Sequence, residues 1–121
     1  MAKELSVVLV GCGGMAGAWL DIAAKDSDLH MVGLTDLRRE AAEQRAEDFE
    51  LGRDVVYDSL EDAIDATGPD IVFDCTVPEA HHQVTMTGLS AGCHVMGEKP
   101  LADSMEHARE MVAKAEEVGK I

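Results

Sequence analysis

Apolar, β-branched runs alternate with stretches of helical spacing along this 121-residue chain, and that alternation leaves few folds open. Leu5–Val10 is apolar and β-branched, the pattern of a strand buried on both faces of a parallel sheet. It ends at Gly11, and Ala16–Lys25 then carries helical spacing. The unit repeats as strand His30–Thr35 with helix Arg38–Phe49. A short strand Val55–Tyr57 precedes a helix ending at Ala66, opened by Ser59 with Asp62 three residues on, as in a capping box. Strand Asp70–Asp74 is followed by helix Glu79–Ala91, and strand His94–Met96 by a last helix from near Asp103 to Gly119. Gly68-Pro69 and Gly92 stop the third and fourth helices. Strands alternating with helices at intervals of ~25 residues predict a doubly wound α/β sheet, its parallel strands joined by right-handed crossovers. On the last helix Met105, Ala108, Met111, Val112, Ala115 and Val118 share one face, which predicts core packing.

No Ser/Pro-rich linker interrupts the pattern, so residues 1–121 are expected to form one domain. Aspartate and glutamate total 24 against 10 lysines and arginines, a formal charge of -14, which argues against extended contact with nucleic acid or anionic lipid. No window approaches the ~18 apolar residues of a membrane span. Cys12, Cys75 and Cys93 have no paired spacing, and the N-terminus lacks a cationic region followed by an apolar run, so a reducing, cytoplasmic setting is expected. His30, His81, His82, His94 and His107 form no metal spacing with those cysteines or with each other, and no metal site is expected.

Chemistry concentrates at the ends of the predicted strands. In Gly11-Cys12-Gly13-Gly14-Met15-Ala16, Gly11 permits a tight turn out of the strand, Gly13 lets a pyrophosphate approach the backbone, and Ala16 is small enough for helix-sheet packing. Asp36 lies about 20 residues further on, at the end of the second strand, where a carboxylate accepts ribose hydroxyls. The pattern points to a dinucleotide, with a purely structural turn or an S-adenosylmethionine site as alternatives. The charge of Asp36 would repel a 2′-phosphate and so favours NAD over NADP. Arg38 and Arg39 weigh the other way, because either could stack on adenine or swing onto that phosphate, or simply be solvated in a helix's first turn.

Thr76-Val77-Pro78 leaves the fourth strand on the same edge, where small and fixed-φ residues let the backbone line a flat ring. His81 and His82 fall in the first turn of the next helix, whose dipole disfavours protonation. A neutral His81 donating to a ribose or phosphate is one reading, and a histidine facing water is the other, preferred for His82. Lys99, in Glu98-Lys99-Pro100, is the sharpest candidate for chemistry: beside a glutamate in a partly dry cleft it can orient a substrate hydroxyl and help move its proton. Pro100 would stiffen the turn and keep Lys99 out of helical geometry.

Together the glycine-rich turn, Asp36, Thr76-Val77-Pro78-Glu79-Ala80-His81 and Ala91-Gly92-Cys93-His94-Val95-Met96-Gly97-Glu98-Lys99-Pro100-Leu101 resemble the N-terminal domain of the Gfo/Idh/MocA oxidoreductases, relatives of glucose-fructose oxidoreductase and inositol 2-dehydrogenase. The likeness runs over essentially the whole chain. It implies a Rossmann-type fold and an NAD or NADP cofactor, with Gly11, Gly13, Gly14, Met15 and Ala16 at the pyrophosphate and Asp36 and Arg38 at the adenosine ribose. Thr76, Val77, Pro78 and His81 would line the path to the nicotinamide, with Glu98 and Lys99 beside its ribose and the substrate, Lys99 as the catalytic residue. Val77 stands where proline is common in the family, and Gly97 where a larger residue is common.

The resemblance also implies a second, C-terminal α/β domain carrying most of the substrate pocket, a catalytic histidine and the interface of a homo-oligomer. None of that fits in this chain. The expectation is therefore the cofactor domain of a longer dehydrogenase, acting when whole on a hydroxyl-bearing carbon of a sugar, inositol or similar polyol, and turning over poorly alone. A free-standing NAD(H)-sensing module acting through a partner protein is the alternative from another class.

Overall fold

The computed structural model describes residues 4–99 and 101–121. Five parallel strands, β1 (Leu5–Val10), β2 (Leu29–Thr35), β3 (Val56–Tyr57), β4 (Ile71–Asp74) and β5 (His94–Gly97), form one sheet in the order β3-β2-β1-β4-β5. Helices α1 (Gly14–Lys25), α2 (Arg39–Asp48), α3 (Leu60–Thr67), α4 (Pro78–Ser90) and α5 (Met105–Val118) alternate with them. The chain winds outward from β1 to β3, then returns past β1 to β4 and β5. The order thus reverses between β1 and β4, which opens a crevice at their carboxyl ends.

Burial on both sheet faces explains the unbroken apolar runs. Along β1, Val7 and Leu9 face one core with Leu20 and Ala23 of α1 and Ala42 and Ala46 of α2. Val8 and Val10 face the other, with Leu60 and Ala63 of α3 and Val84 of α4. A side-chain period of two thus divides one strand between two cores. The helix α4 approaches the sheet closely through Gly88, where an added Cβ would lie 2.8 Å from Val95 Cγ2 and 3.3 Å from Val72 Cγ2.

Caps set the helix ends. Ser59 Oγ accepts from the Asp62 N–H at 3.1 Å, as the capping-box spacing predicts, and Gly68 closes α3 in the left-handed region at φ 54°. Ser104, one residue beyond the expected start, caps α5 by accepting from the His107 N–H at 3.1 Å. Val55 falls in a 3-10 turn, Arg53–Val55, rather than in β3.

The predicted apolar face of α5 is only partly core. Met111 is buried, Ala108, Ala115 and Val118 are half-buried, and Met105 and Val112 are exposed. The physical reason is position: α5 packs against α4 at the β5 edge of the sheet, not against the middle of a sheet face.

Two predictions follow from this packing. Gly88→Val forces a branched side chain against Val95 and Val72, and urea denaturation should show a loss of about 1–3 kcal/mol. At the start of α5 the Asp103 carboxylate, 2.6 Å from His107 Nδ1, raises the His107 pKa, while the same hydrogen bond lowers that of Asp103. The stabilisation from His107 is complete below its unfolded pKa and is lost as pH rises through the raised folded value. That from Asp103 holds above its unfolded value and is lost as pH falls through the lowered one. An NMR titration should therefore find the His107 pKa above 6.5 and, in Asp103→Asn, shifted downward.

Candidate functional site

At the crevice the chain's two central turns cross. Gly11 has φ 89°, and a Cβ there would lie 2.7 Å from the carbonyl carbon and oxygen of Cys75 and 2.9 Å from the Thr76 nitrogen. Only glycine meets both demands. The requirement at Gly13 and Gly14 is different: a Cβ at either would meet nothing within 4 Å, so the space in front of the turn is open. Gly13 is the N-cap of α1 and offers no side-chain cap, which leaves first-turn N–H groups available to an anion. Ala16 is fully buried beneath the turn, and Met15 is exposed at its rim.

Arg45 of α2 braces the turn from behind. Its guanidinium donates to the carbonyls of Cys12 at 3.3 Å and Gly13 at 2.9 Å, and it lies 3.3 Å from where a Cβ on Gly17 would be. Sequence reasoning missed this residue, because nothing in the spacing of α2 distinguishes it from a solvated arginine. Asp36 sits at the end of β2 with both oxygens engaged: Oδ2 accepts the Cys12 N–H at 2.6 Å and Oδ1 the Arg38 N–H at 2.8 Å. Each oxygen keeps a further lone pair. The two candidate arginines separate here. Both are exposed, but Arg39 pairs with Asp58 and, at 3.3 Å, with Glu43, and among the described residues no ion pair involves Arg38.

The end of β4 holds a buried carboxylate that the sequence reading did not single out. Asp74 is 1% exposed. Its Oδ1 accepts from the Thr76 N–H at 3.0 Å and from the Thr76 hydroxyl, its Oδ2 lies 2.7 Å from His81 Nδ1, and its carbonyl accepts the Glu98 N–H at 3.0 Å. One residue thus ties the turn after β4, the start of α4 and the turn after β5. His81 is accordingly placed differently from the expectation that it would offer a donor to a ribose or phosphate. It is 1% exposed, its Nδ1 is turned to Asp74, and its Nε2 is buried without a partner among the described residues. Helix start and buried acceptor compete for the ring, and the acceptor wins because an unpaired buried carboxylate is costly. The second histidine, His82, lies at the surface, 2.7 Å from Glu110 and stacked on His107 with centroids 4.0 Å apart. Val77 is exposed beside the crevice, and Pro78 opens α4.

Glu98 follows β5 and accepts a hydrogen bond from the indole N–H of Trp19 on α1. Lys99 is exposed and lines a cavity of about 360 Å³ together with Asp74, His81, Gly97, Glu98 and Met111. None of Gly11–Ala16 lines that cavity. Pro100, expected to stiffen the turn, lies outside the described residues. Burial first, then the charge of Asp36, pushes the Cys12 thiol up to about 12; burial, then Glu98 and Asp74, does the same to Cys75. Neither thiol is a nucleophile at neutral pH. Among the described residues no cluster of His, Cys, Asp or Glu is arranged to hold a metal ion, and no helix is long and apolar enough to cross a membrane.

Strand order 3-2-1-4-5, an open glycine-rich turn at the first crossover and an acid at the end of the second strand define a dinucleotide-binding α/β fold. The family model for Gfo/Idh/MocA, described as "Oxidoreductase family, NAD-binding Rossmann fold", matches residues 5–121, and the chain belongs to that family. D-glucoside 3-dehydrogenase of Escherichia coli (strain K12) is 36% identical over 121 residues, covering 99% of this chain and 34% of that protein. The 1,5-anhydro-D-fructose reductase of Ensifer adhaerens is 32% identical over 113 residues, covering 93% of this chain and 33% of that protein. Among solved structures, GenD2 from gentamicin A biosynthesis in complex with NAD aligns at a TM-score of 0.91 with 27% identity, over 100% of this chain and 34% of that one. The WlbA dehydrogenase from Bordetella pertussis, in complex with NADH and UDP-GlcNAcA, aligns at 0.90 with 25% identity, over 99% and 35%. The chain spans about a third of the length of these relatives. Family membership removes the S-adenosylmethionine alternative.

The Asp74 cluster carries its own test. Asp74→Ala leaves the His81 ring and the Thr76 hydroxyl without their buried acceptor, and urea denaturation should show a loss of about 3 kcal/mol.

Proposed function

We propose that this chain binds NAD or NADP, with NAD preferred, and is the nucleotide-binding unit of a dehydrogenase that acts on a hydroxyl-bearing carbon of a sugar, inositol or similar polyol. The observation that carries the reading is the open space before Gly13 and Gly14 at the uncapped start of α1, one turn away from a carboxylate held rigid at Asp36. A pyrophosphate needs backbone N–H donors and close approach, which a Cβ at Gly13 would fill. A ribose diol needs an acceptor that does not move. The residues present therefore fit the cofactor. The substrate class rests on the relatives, whose names include glucoside, anhydrofructose and inositol as the molecules they act on.

In this reading Asp36 uses its remaining lone pairs for the adenosine ribose, and its charge opposes a 2′-phosphate. Arg39 is held by Asp58 and Glu43, so relief of that repulsion would fall to Arg38 alone. Leu37, fully exposed next to Asp36, offers an apolar surface of the kind an adenine ring covers. Exposed Met15 and Val77 flank the route toward the end of β5. When bound, the cofactor supplies hydride acceptance or donation at its nicotinamide. Lys99 would orient the substrate hydroxyl and take part in moving its proton. His81 contributes indirectly, by holding Asp74 and thereby the Thr76 turn.

Titration with NADH and NADPH, followed by nicotinamide fluorescence, tests the reading. NADH should bind saturably and more tightly than NADPH. Asp36→Ala should weaken NADH about tenfold, the loss of a charge-assisted contact. Gly13→Val should leave the fold intact, because its side chain enters open space, yet abolish measurable binding. A folded wild-type protein that binds neither nucleotide would overturn the proposal.

A further inference from the structure

Trp19 is the one tryptophan of the chain, and it joins two parts of the crevice that the topology otherwise leaves separate. It lies on α1, the helix opened by the glycine-rich turn. Its ring meets Phe73 of β4 edge-on, with centroids 4.9 Å apart and planes at 65°. Its Nε1–H then donates to the Glu98 carboxylate in the turn after β5. The backbone of Glu98 is held as well, since its N–H donates to the Asp74 carbonyl at 3.0 Å. A side chain fixed at its carboxylate and its amide has little freedom left, and the next residue is Lys99.

The choice of donor is informative. This stretch of the crevice already holds the buried carboxylate of Asp74, and the Glu98 charge reaches the Cys75 thiol. Without a partner, the Glu98 carboxylate would be free to turn into other rotamers. A lysine or arginine could restrain it, but would place a second cation beside Lys99. An indole N–H restrains the carboxylate without adding charge or a titrating group, and its flat apolar body is anchored on Phe73.

We propose that Trp19 is a positioning residue for the nicotinamide half of the site: by holding Glu98 it presets the Glu98–Lys99 turn over the crevice, while the adenosine half, built from Gly11–Ala16 and Asp36, is formed without it. The proposal rests on the cofactor reading above. It makes the two halves of one ligand separable, because ADP carries everything the adenosine half would recognise and lacks both the nicotinamide and its ribose.

Calorimetric titration of the 121-residue chain with ADP and with NADH tests it. Trp19→Phe keeps the apolar contact with Phe73 and deletes the donor. It should weaken NADH about fivefold to tenfold, because the freed Glu98–Lys99 turn must then be ordered on binding, and leave ADP within about twofold. Glu98→Ala should weaken NADH alone in the same way, and adding Trp19→Phe to it should bring no further loss, since the tryptophan acts through that carboxylate. Trp19 emission reports the contact itself: Glu98→Ala should shift it before any ligand is added, while the split between the two ligands reads the positioning role. Equal loss for both ligands in Trp19→Phe, no loss for either, or additive losses in the double variant would each overturn the proposal. Should Trp19→Phe fail to fold, Glu98→Ala decides, and unaltered emission and NADH affinity there would overturn it. A wild type that binds neither ligand removes the cofactor reading itself, an outcome distinct from all of these.

Discussion

Gly11 passes so close beneath the Cys75–Thr76 peptide that no side chain fits between them, and most of the molecule's geometry follows from that contact. It lets the turns after β1 and β4 cross at the point where the strand order reverses. The Gly11 N–H donates to the Thr35 carbonyl and the Cys75 N–H to the Val10 carbonyl, both at 2.8 Å, so the ends of β2, β1 and β4 are stitched into one edge. From that edge α1 starts without a side-chain cap, and Asp36 reaches across to the Cys12 N–H. A bulkier residue at Gly11 would separate the two turns and with them the residues on which a ligand would depend.

A chain with a formal charge of -14 must place carboxylates near a site meant for an anionic ligand, and it does so in a consistent way. Asp36 is held by two backbone N–H groups, Asp74 by the Thr76 backbone and hydroxyl and by His81, and Glu98 by an indole. None of these hydrogen bonds comes from the side chain of a lysine or an arginine. Arginine is spent elsewhere: Arg45 on the carbonyls behind the glycine-rich turn and Arg39 on Asp58 and Glu43. The consequence is electrostatic. Among the described residues, Lys99 and the open N–H groups of α1 are not drawn into internal pairs by the acids of the crevice.

Much of the architecture was legible from local pattern. The apolar runs gave the strands because a strand buried on both faces has no polar alternation to hide it, and the Ser59–Asp62 spacing marked α3 because capping is a short-range device. The glycine-rich turn and Asp36 were legible for the same reason, each being defined within a few residues of a strand end. What the sequence concealed lies in contacts between distant positions. Asp74 looked like the last residue of a strand, and only the fold brings His81 and Thr76 onto its carboxylate. Arg45 is 33 residues from Cys12 and Trp19 is 79 from Glu98, distances at which no periodicity speaks. The α5 face was misjudged because helical spacing reports that a face is apolar, not how much of it a neighbour covers.

The placement of His81 shows how far a local rule carries. A histidine in the first turn of a helix at a strand's carboxyl edge has a sound reason to stay neutral and face a ligand. The same position also stands over the end of β4, and there the requirement of a buried carboxylate for donors is the larger energy. The ring therefore turns inward, with Nδ1 on the Asp74 carboxylate. That inward turn still shapes the site, because the Thr76 turn and the Glu98 amide both hang on the same aspartate. In the proposed site, residues that would touch a ligand and residues that hold those residues in place are adjacent, and it is the buried acid that links them.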